Sequence, residues 1–172
     1  MKKVVLLGYM GSGKSIIGDL ISKFERKNFL DLDEVIENRM QKSIKIIFEQ
    51  RGEIYFRKIE HEIFSELMKN SESFVLSLGG GTPCYANNHE LLNLENVVSV
   101  YLRASIDTLY KRLSAETDKR PLLANKSEEE LREFIAKHLF DRSFYYNQAT
   151  IKIDVDDKSP QEIITEIKEK LA

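Results

Sequence analysis

The chain has 172 residues, 42% of them hydrophobic and 31% charged, and its formal net charge at pH 7 is −2. That length fits one globular domain, and the near balance of charge excludes the broad basic field of a dedicated nucleic-acid binder. No apolar stretch approaches the roughly 20 residues of a membrane span, and a single cysteine excludes an internal disulfide, so we expect a cytoplasmic protein without a membrane or nucleic-acid partner.

Apolar runs alternate with amphipathic stretches from one end of the chain to the other. Strands are predicted at 4–7, at a run ending at Asp31, and at 74–78, 97–102 and 151–155. Helices are predicted at 13–24, from Asp33 onward, at 44–50 and 53–68, after Ser105, at 128–139, and from Ser159-Pro160 onward. This alternation predicts an α/β fold in three layers, with helices on both faces of a mostly parallel sheet of about five strands. Such sheets bind ligands beyond the carboxyl ends of their strands.

The first predicted strand runs into the segment GYMGSGKS at 8–15, which matches the phosphate-loop pattern G-x-x-x-x-G-K-[ST]. Its glycines allow backbone N–H groups to turn inward, and the N-terminus of the following helix favours an anion. Lys14 is expected to reach the β- and γ-phosphates, and the Ser15 hydroxyl to ligate Mg²⁺. The loop therefore predicts a bound nucleoside triphosphate, but it leaves a GTPase, an ATPase or a kinase open. No Asn-Lys-x-Asp guanine signature occurs, which disfavours GTP.

Two aspartates, Asp31 and Asp33, follow the second predicted strand. In an extended backbone alternate residues share one side, so both carboxylates can face the cleft. One could hold Mg²⁺ through water while the other accepts a proton from a substrate hydroxyl. The alternative is that an aspartate here caps the helix that follows.

Two further features have both a structural and a functional interpretation. Arg57 and Glu60 lie three apart on a predicted helix, where they could pair on the surface or hold the guanidinium for a substrate carboxylate. Three consecutive glycines, Gly79-Gly80-Gly81, follow the third predicted strand. They could form a simple turn, but they fit better where a ligand approaches bare backbone N–H groups.

Together these segments resemble the shikimate kinase family. The resemblance rests on 8–15, on Asp31-x-Asp33, on the pattern from Ser43 through Gly52-Glu53-x-x-Phe56-Arg57-x-x-Glu60, on the three glycines, on RPLL at 120–123 and on Arg142-x-x-Tyr145. It covers almost the whole chain and implies a P-loop NTPase fold like that of nucleoside-monophosphate kinases. It also implies transfer of the γ-phosphoryl group of ATP to the 3-hydroxyl of shikimate, a step towards chorismate and the aromatic amino acids.

The resemblance assigns a role to each matching residue. Asp33 would contact the ring hydroxyls of shikimate, and Arg57 and Arg142 would grip its carboxylate. Gly79, Gly80 and Gly81 would line the same site. Ser15 and Asp31 would hold Mg²⁺, and Arg120 would close over the transferring phosphate from a lid. The catalytic set is then Lys14, Asp33 and Arg120, and the ATP-binding set is Gly11, Ser12, Gly13, Lys14, Ser15, Ile16, Arg112, Arg120 and Lys158.

The implied organisation is one kinase domain over 1–172, acting as a monomer, with a substrate-binding subregion at about 31–61 and a lid at about 112–126. The chain departs from the family pattern at Ser143-Phe144, where Pro-Leu is usual, at Leu78 and at Lys158. A gluconate kinase is the alternative enzyme, since it would share the loop and lid but lack the arginine pair beside three glycines. A non-catalytic nucleotide-binding module would be expected to have lost Lys14, Asp33 or Arg120.

Overall fold

Five parallel strands form the centre of the computed structural model, which describes residues 2–116 and 123–172. The strands are β1 (Lys3–Leu7), β2 (Asn28–Asp31), β3 (Phe74–Ser77), β4 (Val97–Arg103) and β5 (Ile151–Asp154). Their order across the sheet is β2-β3-β1-β4-β5, and every neighbouring pair is parallel. The predicted sheet is therefore confirmed, and the order of connection reverses direction at β1, where a ligand cleft is expected.

Helices cover both faces of this sheet. Within the described residues they are α1 (Lys14–Glu25), α2 (Leu32–Met40), α3 (Ile44–Lys69), α4 (Asn88–Leu91), α5 (Ile106–Ser114), α6 (Glu128–Tyr146) and α7 (Pro160–Leu171), with a 3₁₀ turn at Thr82–Cys84. The side chains of β1 alternate between the two faces, as the pleat requires. Val4 and Leu6 join a core that includes α5, α6 and α7, whereas Val5 and Leu7 join a second core that includes α2 and α3. These two cores confirm the three-layer α/β fold.

Serine N-caps place the helix starts where the sequence predicts them. The hydroxyls of Ser43, Ser105, Ser127 and Ser159 each accept a hydrogen bond from the backbone N–H three residues later. Each bond satisfies one of the N–H groups that a helix start leaves without an internal partner. The predicted end of the helix at 139 is wrong, because α6 continues for two further turns to Tyr146.

The helices after β2 agree with the prediction except at the first turn of α2. The helix predicted from Asp33 onward begins one residue earlier, at Leu32, so Asp33 lies in its first turn, and the expected extended backbone at this residue is wrong. The two helices predicted at 44–50 and 53–68 are confirmed as two helical segments of α3, which bends between them at Gly52. The bend occurs there because Gly52 has φ 82° and ψ 174°, a conformation that side chains with a Cβ rarely adopt.

Candidate active site

The phosphate loop lies between β1 and α1, beneath a cleft of about 640 Å³. A Cβ at Gly8 would come within 2.7 Å of the Leu102 carbonyl oxygen, and φ at Gly8 is +148°, so a side chain is excluded there. The cleft is lined by all six predicted loop contacts, which are Gly11, Ser12, Gly13, Lys14, Ser15 and Ile16. The sequence-predicted cradle thus faces a space in the size range of small-ligand sites.

Polar groups in this loop are arranged for an anion. Lys14 Nζ donates to the carbonyl oxygens of Gly8 at 2.7 Å and Tyr9 at 3.0 Å, which holds the ammonium group at the loop. The Ser12 hydroxyl is buried and has no hydrogen-bond partner among the residues that the structure describes. A buried hydroxyl without a partner carries a desolvation cost that a ligand oxygen could relieve.

Asp31 serves both as a helix cap and as part of the cleft wall. Its carboxylate accepts a hydrogen bond from the Glu34 N–H at 3.2 Å, and Asp31 and Asp33 both line the cleft. The two interpretations of these aspartates in the sequence are therefore compatible. Asp31 is at the cap position and Asp33 is in the first helical turn, so the helix start brings both carboxyl groups to the same cleft.

Asp33 is an unusually basic carboxylate. Burial, followed by the nearby carboxylates of Asp31, Glu60 and Glu37, raises its pKa from 3.8 to about 6, and Lys14 opposes this effect. Burial removes water from the ionised form, and like charges penalise it further. A carboxylate with such a pKa is mainly ionised at neutral pH and still has useful affinity for a proton, as a general base needs.

Each of the three consecutive glycines lies beside a different charged side chain, and Gly80 and Gly81 also leave space that a Cβ would take from theirs. A Cβ at Gly79 would lie 3.1 Å from Thr82 Oγ1 and in ordinary contact with Asp33 Oδ1 at 3.4 Å, whereas a Cβ at Gly80 would lie 3.0 Å from an Arg142 Nη atom. At Gly81 a Cβ would lie only 2.7 Å from an Arg57 Nη atom. The glycines therefore bring one carboxylate and two guanidinium groups against the same short stretch of backbone. The alternative of a simple turn does not explain this convergence.

Arg57 is held from several sides. Its Nη1 donates to Glu60 at 2.9 Å, and Glu60 is only 1% exposed. The Thr82 hydroxyl donates to the other Glu60 oxygen at 2.9 Å. The ring of Tyr85 lies 4.0 Å from the guanidinium carbon, close enough for a cation–π contact. Because Glu60 is buried, the predicted pair is an internal support for Arg57 and not a surface ion pair.

Arg142 approaches the same glycines from α6. Its Nη1 lies 3.5 Å from the hydroxyl of Tyr146, and that hydroxyl donates to the Gly80 carbonyl oxygen at 2.5 Å. Tyr146 is fully buried, whereas Tyr145 is partly exposed and contacts the ring of His89. The site tyrosine is thus one residue beyond the Tyr145 of the sequence pattern. Both i+3 and i+4 positions neighbour Arg142 on a helix, so spacing alone could not decide between them.

The residues predicted at the adenine end also reach the cleft. Arg112 and Lys158 both line it, from α5 and from the loop before α7 respectively. Arg112 Nη1 donates to the Gly11 carbonyl oxygen at 3.0 Å, and Lys158 Nζ pairs with Glu166 at 2.6 Å. Arg112 therefore supports the phosphate loop directly. The predicted lid residue Arg120 lies outside the described residues.

The donor set at the phosphate loop suits a hard divalent cation. Ser15 and Asp31 offer oxygen ligands at the same cleft, and Mg²⁺ in such sites takes one or two protein oxygens together with substrate phosphates and water. Within 2–116 and 123–172 there is no cluster of three or more His, Cys, Asp or Glu side chains that could hold a metal by themselves. The described helices include none long and apolar enough to cross a membrane.

The chain is similar to known proteins both in sequence and in fold. A family model described as shikimate kinase matches residues 10–172. A shikimate kinase of Flavobacterium johnsoniae is 61% identical over 172 residues, covering 100% of both chains. The crystal structure of shikimate kinase from Bacteroides thetaiotaomicron has a TM-score of 0.90 and 32% identity, covering 99% of this chain and 98% of that one. Shikimate kinase from Acinetobacter baumannii, in complex with shikimate, has a TM-score of 0.86 and 28% identity over 99% and 93% of the two chains.

Proposed function

The chain belongs to the shikimate kinase family and catalyses the ATP-dependent phosphorylation of shikimate, and we propose that the residues gathered at the cleft carry this reaction. The product is shikimate 3-phosphate, on the route to aromatic amino acids. One observation supports the site most strongly. Three adjacent glycines lie beside Asp33, Arg142 and Arg57 in turn, so a carboxylate that can accept a proton from a hydroxyl and two guanidinium groups that can bind a carboxylate share one small surface.

Shikimate, the phosphoryl acceptor, is bound through its negative charge at one end and through a hydrogen bond from its reacting hydroxyl at the other. Arg57 and Arg142 pair with the shikimate carboxylate, since a guanidinium group offers two parallel N–H donors to two oxygens. Asp33 accepts a hydrogen bond from the reacting hydroxyl. The two arginines are already held in place, by Glu60 and by Tyr146, so little side-chain freedom is lost on binding.

Phosphoryl transfer requires alignment and neutralisation of charge more than covalent chemistry by the protein. Asp33 orients the hydroxyl towards the γ-phosphate and takes its proton as the new bond forms. Lys14 stabilises the negative charge of the β- and γ-phosphate oxygens. The metal site fits Ser15 and Asp31, and bound Mg²⁺ would supply positive charge to the same oxygens.

The remaining proposed roles concern the rest of the ATP site, the lid, the substrate-binding subregion and the oligomeric state. Gly11, Ser12, Gly13, Ile16, Arg112 and Lys158 form the rest of the ATP site, as supported by their place on the cleft wall. Arg120 closes over the transferring phosphate from a lid at about 112–126, and the subregion at about 31–61 carries the acceptor contacts. The enzyme acts as a monomeric single domain in the cytoplasm.

A coupled assay of ADP release tests this function directly. We expect turnover with ATP, Mg²⁺ and shikimate together, and only background release with gluconate, AMP or no acceptor. Arg57→Ala and Arg142→Ala should mainly raise the KM for shikimate. Equal ADP release without shikimate would contradict the assignment, and an unchanged shikimate KM in Arg57→Ala would show that the clamp is placed wrongly.

A further inference from the structure

Tyr9, the second residue of the phosphate loop, contacts both halves of the site although no sequence pattern gives it a role. Its side chain is only 1% exposed. Its carbonyl oxygen accepts hydrogen bonds from Lys14 Nζ at 3.0 Å and from the Ser12 N–H at 3.1 Å. Its ring lies 5.5 Å from the guanidinium carbon of Arg142. Tyr9 therefore contacts Lys14 of the proposed nucleotide site through its carbonyl oxygen and Arg142 of the proposed shikimate site through its ring.

The far end of the Tyr9 ring is fixed by a histidine. The Tyr9 hydroxyl and Nδ1 of His138 are 2.7 Å apart, which is a short hydrogen bond. His138 lies on α6 four residues before Arg142, so both side chains are on the same face of the helix. Phe134, one turn earlier again, packs edge-on against the His138 ring at 4.3 Å between centroids. The imidazole is thus held between Phe134 and Tyr9.

The charges around this contact are compatible with a support role. Burial and the positive charge of Arg142 lower the pKa of His138, which favours the neutral imidazole. A neutral ring can take the Tyr9 hydroxyl as donor without placing a second cation beside Arg142. The π face of Tyr9 offers Arg142 a favourable electrostatic contact that does not neutralise its charge. The guanidinium group thus keeps its full charge for a carboxylate.

We propose that Tyr9 and His138 are positioning residues, which hold Arg142 at a set distance from the phosphate loop and so align the acceptor with the nucleotide. This inference rests on the proposed role of Arg142 as a carboxylate clamp. Tyr146 holds the C-terminal side of Arg142 and the Tyr9–His138 pair holds the other side. Loss of either partner of the pair leaves Arg142 present but less well placed.

Steady-state kinetics of substitutions at both positions test the proposal. Tyr9→Leu removes the ring face and the hydroxyl, and His138→Leu removes the hydrogen-bond acceptor. We expect each to raise the KM for shikimate about 3- to 10-fold, with the KM for ATP changed less than about 2-fold. His138→Asn should restore shikimate KM towards the wild-type value, since its amide oxygen can replace Nδ1. Glu133→Gln, an exposed change on the same helix, is the matched control and should leave both constants unchanged.

A double-mutant cycle separates this role from a general effect on the fold. In an Arg142→Ala background, His138→Leu should cause no further loss of kcat/KM for shikimate, because the residue it positions is gone. Additive losses would overturn the proposal, as would an equal rise in the KM for ATP. If Arg142→Ala weakens shikimate binding but neither leucine variant does, only this inference fails. If Arg142→Ala itself leaves shikimate binding unchanged, the proposed clamp fails instead. His138→Leu gives the answer even if Tyr9→Leu does not fold.

Discussion

Replacement of Asp33 by asparagine should stabilise the ligand-free protein at neutral pH. The Asp33 pKa is about 6 in the folded protein against an ordinary 3.8, because burial and neighbouring carboxylates disfavour its charge. As the pH rises between these values, the unfolded chain releases its proton first. The folded state then holds more protons than the unfolded state, so stability falls with pH across this window and is lowest above it. The amide that D33N introduces does not ionise, and the variant therefore avoids this loss.

The size of the effect follows from the two pKa values. At 1.36 kcal/mol per pH unit, the difference between 3.8 and about 6 corresponds to about 3 kcal/mol. About 1 kcal/mol of this cost has developed at pH 4.5, and nearly all of it at pH 8. The free energy of unfolding of D33N, relative to wild type, should therefore increase by about 2 kcal/mol between these pH values. For a domain of this length that corresponds to about 4–8 °C in Tm.

Urea unfolding followed by circular dichroism, without nucleotide or shikimate and with EDTA present, measures this difference. Any constant effect of the amide on packing cancels when the two pH values are compared. Asp19→Asn is a suitable control, since Asp19 is an aspartate on the surface of α1 that pairs with Lys23, and its effect should vary by less than about 0.5 kcal/mol. In the kinetic assay D33N should lose at least about 100-fold in kcat. A stability difference that does not change with pH would refute the reasoning.

Three other predictions concern single contacts. Gly81→Ala should raise the KM for shikimate more than about 10-fold with little change for ATP, because its Cβ would lie 2.7 Å from Arg57; wild-type kinetics would contradict the glycine argument. Tyr146→Phe should lower the free energy of unfolding by about 1–2 kcal/mol, measured by urea titration, because the Gly80 carbonyl loses its buried donor. Lys14→Ala should abolish measurable turnover while the Tm stays within a few degrees, and residual activity close to wild type would remove Lys14 from the mechanism.

The elements whose local signals are strong could be predicted from the sequence. The phosphate loop and the serine caps depend on contacts within a few residues, so their patterns identify them directly. Arg57 and Arg142 could be chosen only through the family resemblance, because neither the Arg-x-x-Glu nor the Arg-x-x-Tyr spacing shows whether the partner of the arginine is buried. The structure supplies that fact, since Glu60 is 1% exposed.

Features that depend on contacts between residues far apart in the chain could not be predicted from the sequence. Tyr146 and Tyr145 are equally plausible neighbours of Arg142 by helical spacing, and only packing against the glycine backbone selects Tyr146. Tyr9 and His138 are 129 residues apart, so no local pattern indicates that they meet. The helix start at Leu32 lies one residue before the predicted start at Asp33, because aspartates are common both at strand ends and in first helical turns and do not mark the boundary.

Because the strand order reverses at β1, the cleft residues come in two groups from opposite sides of this strand. The residues proposed for the adenine end, Arg112 on α5 and Lys158 before α7, line the cleft from the side of β4 and β5, whereas Asp33, Arg57 and the three glycines come from the side of β2 and β3. A designer could therefore exchange the second group to recruit a different alcohol and keep the ATP machinery intact. Arg142 is the exception, since it extends from α6 to Gly80, and any such redesign would have to begin there.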